Sequence, residues 1–489
     1  MRLFTVSKLF FVGVIVFSLL CFPQALSAQE NALHVYTGTG APGLTNGALN
    51  QAEFYSPYGL AVNDQGLLYL ADSYNNSIRV IANGVVKTVA GSNDGQDSLG
   101  FPQGGYKDGA ATAAQFNRPR AVVVAPHETI YVADTQNHVI RKIADGQVTT
   151  LAGTGKAGYK NGSALEAQFD SPSGLALDQS GNLYVADTLN NAIRKIDPAG
   201  VVTTFAGSSS GNAGYQDGSI DTALFNEPAA LALDKHGVLY IADTGNQLIR
   251  KASNGQVQTL AGSRGTLLTG TDYYQGSFQD GAVDKAAFNF PKGLAVLDND
   301  HVIVADTWNS RVRAILTNGE VITLLGTGKF GRADGPVSAA VLGSPVGLAA
   351  YNNSLYIADA DNNLLWQLNI EPDNLQPARA GFDPPSDQIQ VWVNSSKVLF
   401  NADSQPYVSE GSTMLPLRAI CEKMGWTVDW VQDGTITVIG TTRSVTFAGQ
   451  DENLYNKNGT TIVGLRYLAE SMGWIVDWVP DYRAVTVQE

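Results

Sequence analysis

Apolar and polar positions alternate along most of this chain in short runs, and the runs return in the same order six times. Each unit is anchored by one phrase, apolar-x-Ala-Asp-x-x-Asn. Its aspartates are Asp72, Asp134, Asp187, Asp243, Asp306 and Asp359, spaced 62, 53, 56, 63 and 53 residues apart. Before it comes Pro-x-Gly/Ala and an apolar run, as at 172–178. After it come a third run, as at 192–196, and a fourth behind a glycine turn, as at 201–207. Alternation over a few residues, bounded by Gly, Asn and Asp, predicts hairpin-linked strands. Four strands per unit is the content of one propeller blade.

The fourth runs predict closure. Units one to five have theirs at 85–91, 148–153, 201–207, 257–262 and 321–326. Unit six stops after its third run, and a matching run stands alone upstream at 33–40. That strand is expected to complete the last blade, leaving no open edge. The expectation is a mainly β chain: a six-bladed β-propeller over 29–370, closed by its N-terminal strand. A second phrase lies between units: Asp/Asn-Gly, an apolar plug eight residues on, and Pro three later. It starts at Asn46, Asp108, Asn161, Asp217, Asp280 and Asp334. Asp/Asn-Gly suits a positive-φ turn, and the plug is expected between neighbouring blades. The connecting loops 92–106 and 263–278 are longer than their counterparts.

These units resemble NHL repeats, whose Asn-His-Leu run Asn137-His138-Val139 nearly reproduces. The resemblance covers roughly 31–370. The sixth copy departs from the pattern. Trp366 stands where Arg79, Arg141, Arg194, Arg250 and Arg313 stand in the others.

Residues 371–387 hold four prolines and little apolar content, which predicts a semi-rigid linker. Beyond it, 417–426 and 465–474 repeat one another, each ending Met-Gly-Trp and continuing into apolar-Val-Asp-Trp-Val. Each predicts a short helix, a glycine cap and a hairpin, hence a small α+β domain of two repeats at 388–489. It resembles the copper amine oxidase N-terminal-like stalk domain common in exported proteins of Gram-positive bacteria. That resemblance does not imply copper, because no histidine follows His301.

The first 28 residues change the compartment. Arg2 and Lys8 precede the apolar run 9–22, and small residues follow at 25–28. This is the layout of a secretory signal peptide, shorter than the roughly 20 residues that span a bilayer. A secreted or cell-surface protein is expected, with no membrane insertion. Removing two positive charges moves the formal net charge from −14 to −16. So acidic a chain is a poor nucleic-acid binder, since phosphate contacts need a basic stripe. Cys421 would be the sole cysteine left, so no disulfide braces the chain.

Candidate chemistry is sparse. The six repeat aspartates are expected to be architectural, holding turns or pairing with the repeat arginines. The five histidines occupy unlike positions, so no metal site and no cofactor are expected. No nucleophile elbow or phosphate loop is present. The position after each repeat proline does vary, reading Tyr58, Arg120, Ser173, Ala229, Lys292 and Val346. It begins the innermost strand near the channel mouth, where Tyr58, Arg120, Ser173 and Lys292 are ligand-binding candidates and the two cations suit an acidic ligand. In the second domain Trp426, Trp430, Trp474 and Trp478 are candidates for stacking on sugars, or else core. The expected function is a secreted, monomeric binding or scaffold protein whose partner is a protein or a cell-wall glycan. A lyase or hydrolase acting in the channel, or a structural matrix component, are the alternatives.

Overall fold

Each sequence unit folds into one antiparallel sheet, and six such sheets form a ring. The computed structural model describes residues 32–372 other than 93–94 and 98–99, residue 375, and most strands with one helix between 390 and 488. The signal-peptide segment 1–28 and most of the linker 371–387 lie outside the described residues.

Blade one runs from the rim inward as Gly47–Ala48, Val85–Ala90, Ser77–Ala82, Leu68–Asp72 and Pro57–Val62. Blades two to five repeat this order, with innermost strands Ala121–Val124, Pro172–Leu177, Pro228–Leu233 and Pro291–Val296; blade six has Pro345–Tyr351. Successive innermost strands touch, and the sixth touches the first, so the ring is shut.

Each sheet has five strands where the pattern predicts four. The extra rim strand is the Asp/Asn-Gly segment itself. Its glycine takes the expected positive φ, 143° at Gly47 and 114° at Gly335, and two residues then pair with the fourth strand. Two residues are too few to show an alternating pattern.

Closure follows the prediction. Strand Ala32–Thr37 pairs antiparallel with Leu364–Asn369, aligning Leu33 with Leu368 and Val35 with Trp366. Its other edge takes the rim strand Gly335–Pro336. Leu33 is fully buried there, and Tyr36 packs edge-on against Tyr356 at 4.9 Å.

The core is divided among the blade interfaces. Phe54 packs with blade-one and blade-six residues, and Phe116 with those of blades one and two. Phe169, Phe225, Phe288 and Leu342 plug the next four gaps, all six being fully buried. Each fully buried side chain contributes about 1.5–3 kcal/mol by leaving water. The Gly of Pro-x-Gly sets how closely blades approach at the axis. A Cβ on Gly347 would collide with the Tyr58 carbonyl, and one on Gly293 with that of Val346.

Beyond residue 389, helix Leu417–Lys423 is followed by the hairpin Thr427–Trp430 and Ile436–Ile439. The second predicted hairpin is Ile475–Val479 with Ala484–Gln488, while its helix, 465–474, lies outside the described residues. Leu417, Ile420 and Cys421 are fully buried, as a small core thiol should be.

Candidate functional site

The ring leaves a cavity of about 240 Å³ on its axis, lined by all six innermost strands. Its wall is Gly, Ala, Val and Leu, with one Tyr, one Ser, one Arg and one Lys. These last are Tyr58, Ser173, Arg120 and Lys292, so the structure brings the four sequence candidates together at one place. Arg120 belongs to blade two and Lys292 to blade five. In a ring of six those blades are opposite, so the two charged groups of the wall face each other across the axis.

Their surroundings differ. The Arg120 guanidinium lies over the Tyr58 ring at 5.3 Å, a cation–π contact, and its N–H groups have no hydrogen-bond partner among the described residues. Lys292 is half-buried and has no ion-pair partner among the described residues. Ser173 is buried. Its hydroxyl meets Thr188 Oγ1 at 2.6 Å and donates to the Ala229 carbonyl at 3.0 Å, so it ties blade three to blade four.

The six repeat aspartates do not converge. Each is fully buried at the corner of its own blade. In blade one Asp72 Oδ2 accepts from Arg79 Nη1 at 2.6 Å and Asn75 Nδ2 at 2.8 Å, and Oδ1 accepts from the Tyr55 backbone N–H at 2.8 Å. Arg79 Nη2 continues to Asn46 Oδ1 at 2.9 Å, so one side chain staples the rim strand to the Ala-Asp strand. The staple recurs in blades two to five, with Asp–Arg distances of 2.6–2.8 Å. The arginines also lie against aromatic rings, Arg194 against Phe169 at 5.2 Å and Tyr159 at 4.6 Å. Burial pushes the Asp72, Asp134 and Asp187 carboxyls up to about 6, against the pull of their arginines. In blade six Trp366 Nε1 donates to Asp359 Oδ2 at 2.9 Å in place of the guanidinium.

The residue after each repeat asparagine has a role that the sequence pattern hides. It sits in left-handed conformation, as at Asn76 (φ 51°) and His138 (φ 55°). Its side chain takes a backbone N–H of the next blade. Asn76 accepts from Arg118, His138 Nδ1 from Ser171, Asn191 from Glu227, Gln247 from Phe290 and Asn363 from Ser56, at 2.6–3.1 Å. Ser310 instead donates to the Gly343 carbonyl at 2.8 Å. Six side chains of four residue types, Asn, His, Gln and Ser, thus latch each blade to its successor. His138 is therefore a latch; His34 lies in the closing strand, and among the described residues no three His, Cys, Asp or Glu side chains gather as metal ligands.

The two long loops turn back toward the mouth. Phe101 of the first packs on Tyr55 and Tyr74 at 5.9 and 5.8 Å. Tyr273 of the second packs on Phe290 at 5.7 Å, and Phe290 stacks on Trp308 at 4.1 Å. Trp426 in the C-terminal region is only 4 % exposed, so its indole is core and offers no face to a sugar. The side chains of Trp430, Trp474 and Trp478 lie outside the described residues.

Comparison with known proteins agrees with both resemblances. The family model for the NHL repeat matches 54–81 and 288–315, that for the teneurin NHL domain matches 149–224, and that for the copper amine oxidase N-terminal domain matches 392–455. Protein SUPPRESSOR OF QUENCHING 1, chloroplastic, of Arabidopsis thaliana is 33 % identical over 308 residues, covering 58 % of this chain and 28 % of its own. NHL repeat-containing protein 2 of Bos taurus is 28 % identical over 344 residues, covering 62 % of this chain and 45 % of its own. This chain spans less than half the length of these curated relatives. Among solved structures, an auxiliary nutrient binding protein from Bacteroides thetaiotaomicron VPI-5482 superposes with TM-score 0.52 at 14 % identity. The match covers 69 % of this chain and 76 % of that one, a likeness of fold alone. The chain thus carries NHL repeats, folded as a six-bladed β-propeller, followed by a copper amine oxidase N-terminal domain.

Proposed function

We propose that this is an exported, non-enzymatic binding protein whose propeller receives an acidic ligand at the channel mouth, with the C-terminal domain as its attachment module to a surface or glycan. The NHL propeller fold itself suggests a binding or scaffold role. The observation that carries the finer proposal is the make-up of the cavity wall. Among 23 lining residues the charged ones are Arg120 and Lys292, both positive, on opposite blades of a chain whose formal net charge is −14. A local positive site on an acidic protein selects anions by short-range contact rather than by the field of the whole molecule. Lyase or hydrolase chemistry runs on a positioned acid, base or metal; the polar side chains of this wall are Tyr58, Ser173, Arg120 and Lys292, with no carboxylate or imidazole among them. Export rests on the residues at 1–28.

Arg120→Ala combined with Lys292→Ala tests the mouth. Both positions are partly exposed, so the melting temperature should hold while retention on an anion-bearing matrix falls by at least tenfold. Retention unchanged in the folded double variant would end the proposal. Sedimentation of the purified protein with cell-wall sacculi tests attachment. A variant lacking 388–489 should stay in the supernatant.

A further inference from the structure

The aromatic residues around the mouth sharpen the ligand class. We infer that the propeller face binds an anionic polysaccharide laid across the channel mouth from the blade-two side to the blade-five side, with Trp308 as the plate on which a sugar ring stacks. This rests on the assignment of Arg120 and Lys292 as the anion site.

Four observations lead there. First, the two long loops are placed three blades apart, one between blades one and two and the other between blades four and five. Second, each delivers an aromatic side chain into a cluster that ends two residues before a mouth cation: Arg118-Pro119-Arg120 on one side and Phe290-Pro291-Lys292 on the other. Arg118 itself caps the Tyr74 ring at 4.5 Å. Clustered aromatic rings and positive charge therefore occur as a pair, twice, at opposite sides of one opening, with the open ring face on the Trp308 side. A ligand with repeated negative charge and repeated flat faces meets both pairs.

Third, Trp308 is built as an open plate. It is 61 % exposed, one indole face rests on Phe290 at 4.1 Å, and its backbone N–H is fixed by a hydrogen bond of 3.0 Å to the Asn289 carbonyl. The outer indole face, left in water, contributes nothing to the fold. The same turn position is Tyr74, Gln136, Leu189, Gly245 or Asp361 in the other blades, so the architecture does not ask for it. Fourth, the plate adjoins the cation. In blade three the equivalent pair, Ser173 and Thr188, is hydrogen-bonded. The same register puts Lys292 beside Thr307, the residue before Trp308. A pyranose ring offers an apolar C–H face to the indole while its carboxylate or phosphate substituent reaches the ammonium. A polyglutamate chain would use the charges but has no ring for the plate.

The test is titration of the purified protein with polygalacturonate oligomers, a phosphorylated teichoic-acid glycan, neutral dextran oligomers and polyglutamate, read by calorimetry and tryptophan fluorescence. An anionic glycan should bind, dextran of equal length should bind at least tenfold more weakly, and Trp308→Ala should weaken the glycan roughly five- to tenfold. Trp308→Ala should leave the melting temperature unchanged, and Trp308→Phe should recover part of the affinity. Trp308→Ala binding the glycan like wild type, while Arg120→Ala with Lys292→Ala loses it, would overturn the polysaccharide inference and leave the anion site standing. Polyglutamate binding tighter than either glycan would do the same. Binding of no polyanion at all would overturn both.

Discussion

Blades one to five and blade six solve the same corner in two ways. In the first five a buried aspartate meets a buried arginine, and the arginine runs on to an Asp or Asn of the rim strand. In blade six an indole takes that place. Asp359 there collects Trp366 Nε1, Asn362 Nδ2 and the backbone N–H groups of Gly343 and Ser344, all at 2.8–2.9 Å. The carboxylate goes without a cation because four neutral donors surround it. The corner therefore requires a filled volume and a satisfied carboxylate, and a cation is one way to supply both. This agrees with the general finding that a buried ion pair, compared with a well-packed substitute, adds little net stability.

The largest effect should come from removing what blade six alone needs. Deleting 29–40 strips its fourth strand, leaves Leu364–Asn369 as an open edge and exposes the face that Leu33 covers. Loss of cooperative unfolding or aggregation on expression is expected. A soluble deletion with the parental melting temperature would refute closure by that strand.

Next come the two corners. Arg194→Ala strands the buried Asp187 charge and should cost about 3–5 kcal/mol. Trp366→Ala should cost a similar ~3–5 kcal/mol, through an indole-sized void. Trp366→Arg sharpens the comparison. Asp334 already occupies the rim position from which Asp108, Asp217 and Asp280 hold their arginines. The new arginine should therefore restore more than half of what Trp366→Ala loses in denaturant melts. If Trp366→Arg and Trp366→Ala unfold alike, blade six is not a variant of the same corner.

The smallest effect is titration. A carboxyl whose pKa is higher in the fold than in the unfolded chain holds more protons when folded, so its contribution favours the fold in acid. For Asp72 the value rises from 3.8 to about 6. Its contribution is thus complete below pH ~4, declines as pH rises from about 4 to 6, and stays flat above. Wild type compared with Asp72→Asn in urea at pH 4, 5, 6 and 7 isolates it, with a fall on the order of 1–3 kcal/mol across that window. An increase over the same interval would show that hydrogen bonding outweighs burial at this carboxyl.

The ring and its closure were legible in the sequence because repetition multiplies a weak signal. One Ala-Asp strand is ambiguous, but six in phase with a stray fourth strand are not. The mouth positions were legible because the repeat proline marks the register of the innermost strand. Other features carry no such mark. The rim strands have two residues each, below the length at which alternation can show. The latch is Asn in three blades but His, Gln and Ser in the others, so Asn76, His138 and Gln247 look unrelated until their partners are seen. Phe101 and Tyr273 come from loops outside the repeat, and their approach to the mouth depends on three-dimensional folding-back that spacing does not encode.

The antiparallel pairing of Ala32–Thr37 with Leu364–Asn369 has a mechanical corollary. The chain enters the ring at Ala32 and leaves it past Asn369, and the alignment of Leu33 with Leu368 puts both points at the same end of one sheet. Tension applied between them pulls the two strands apart from that end. The bonds then yield one pair at a time, as a zipper does, instead of sharing the load in shear. Blade six is where such a pull would first open the ring.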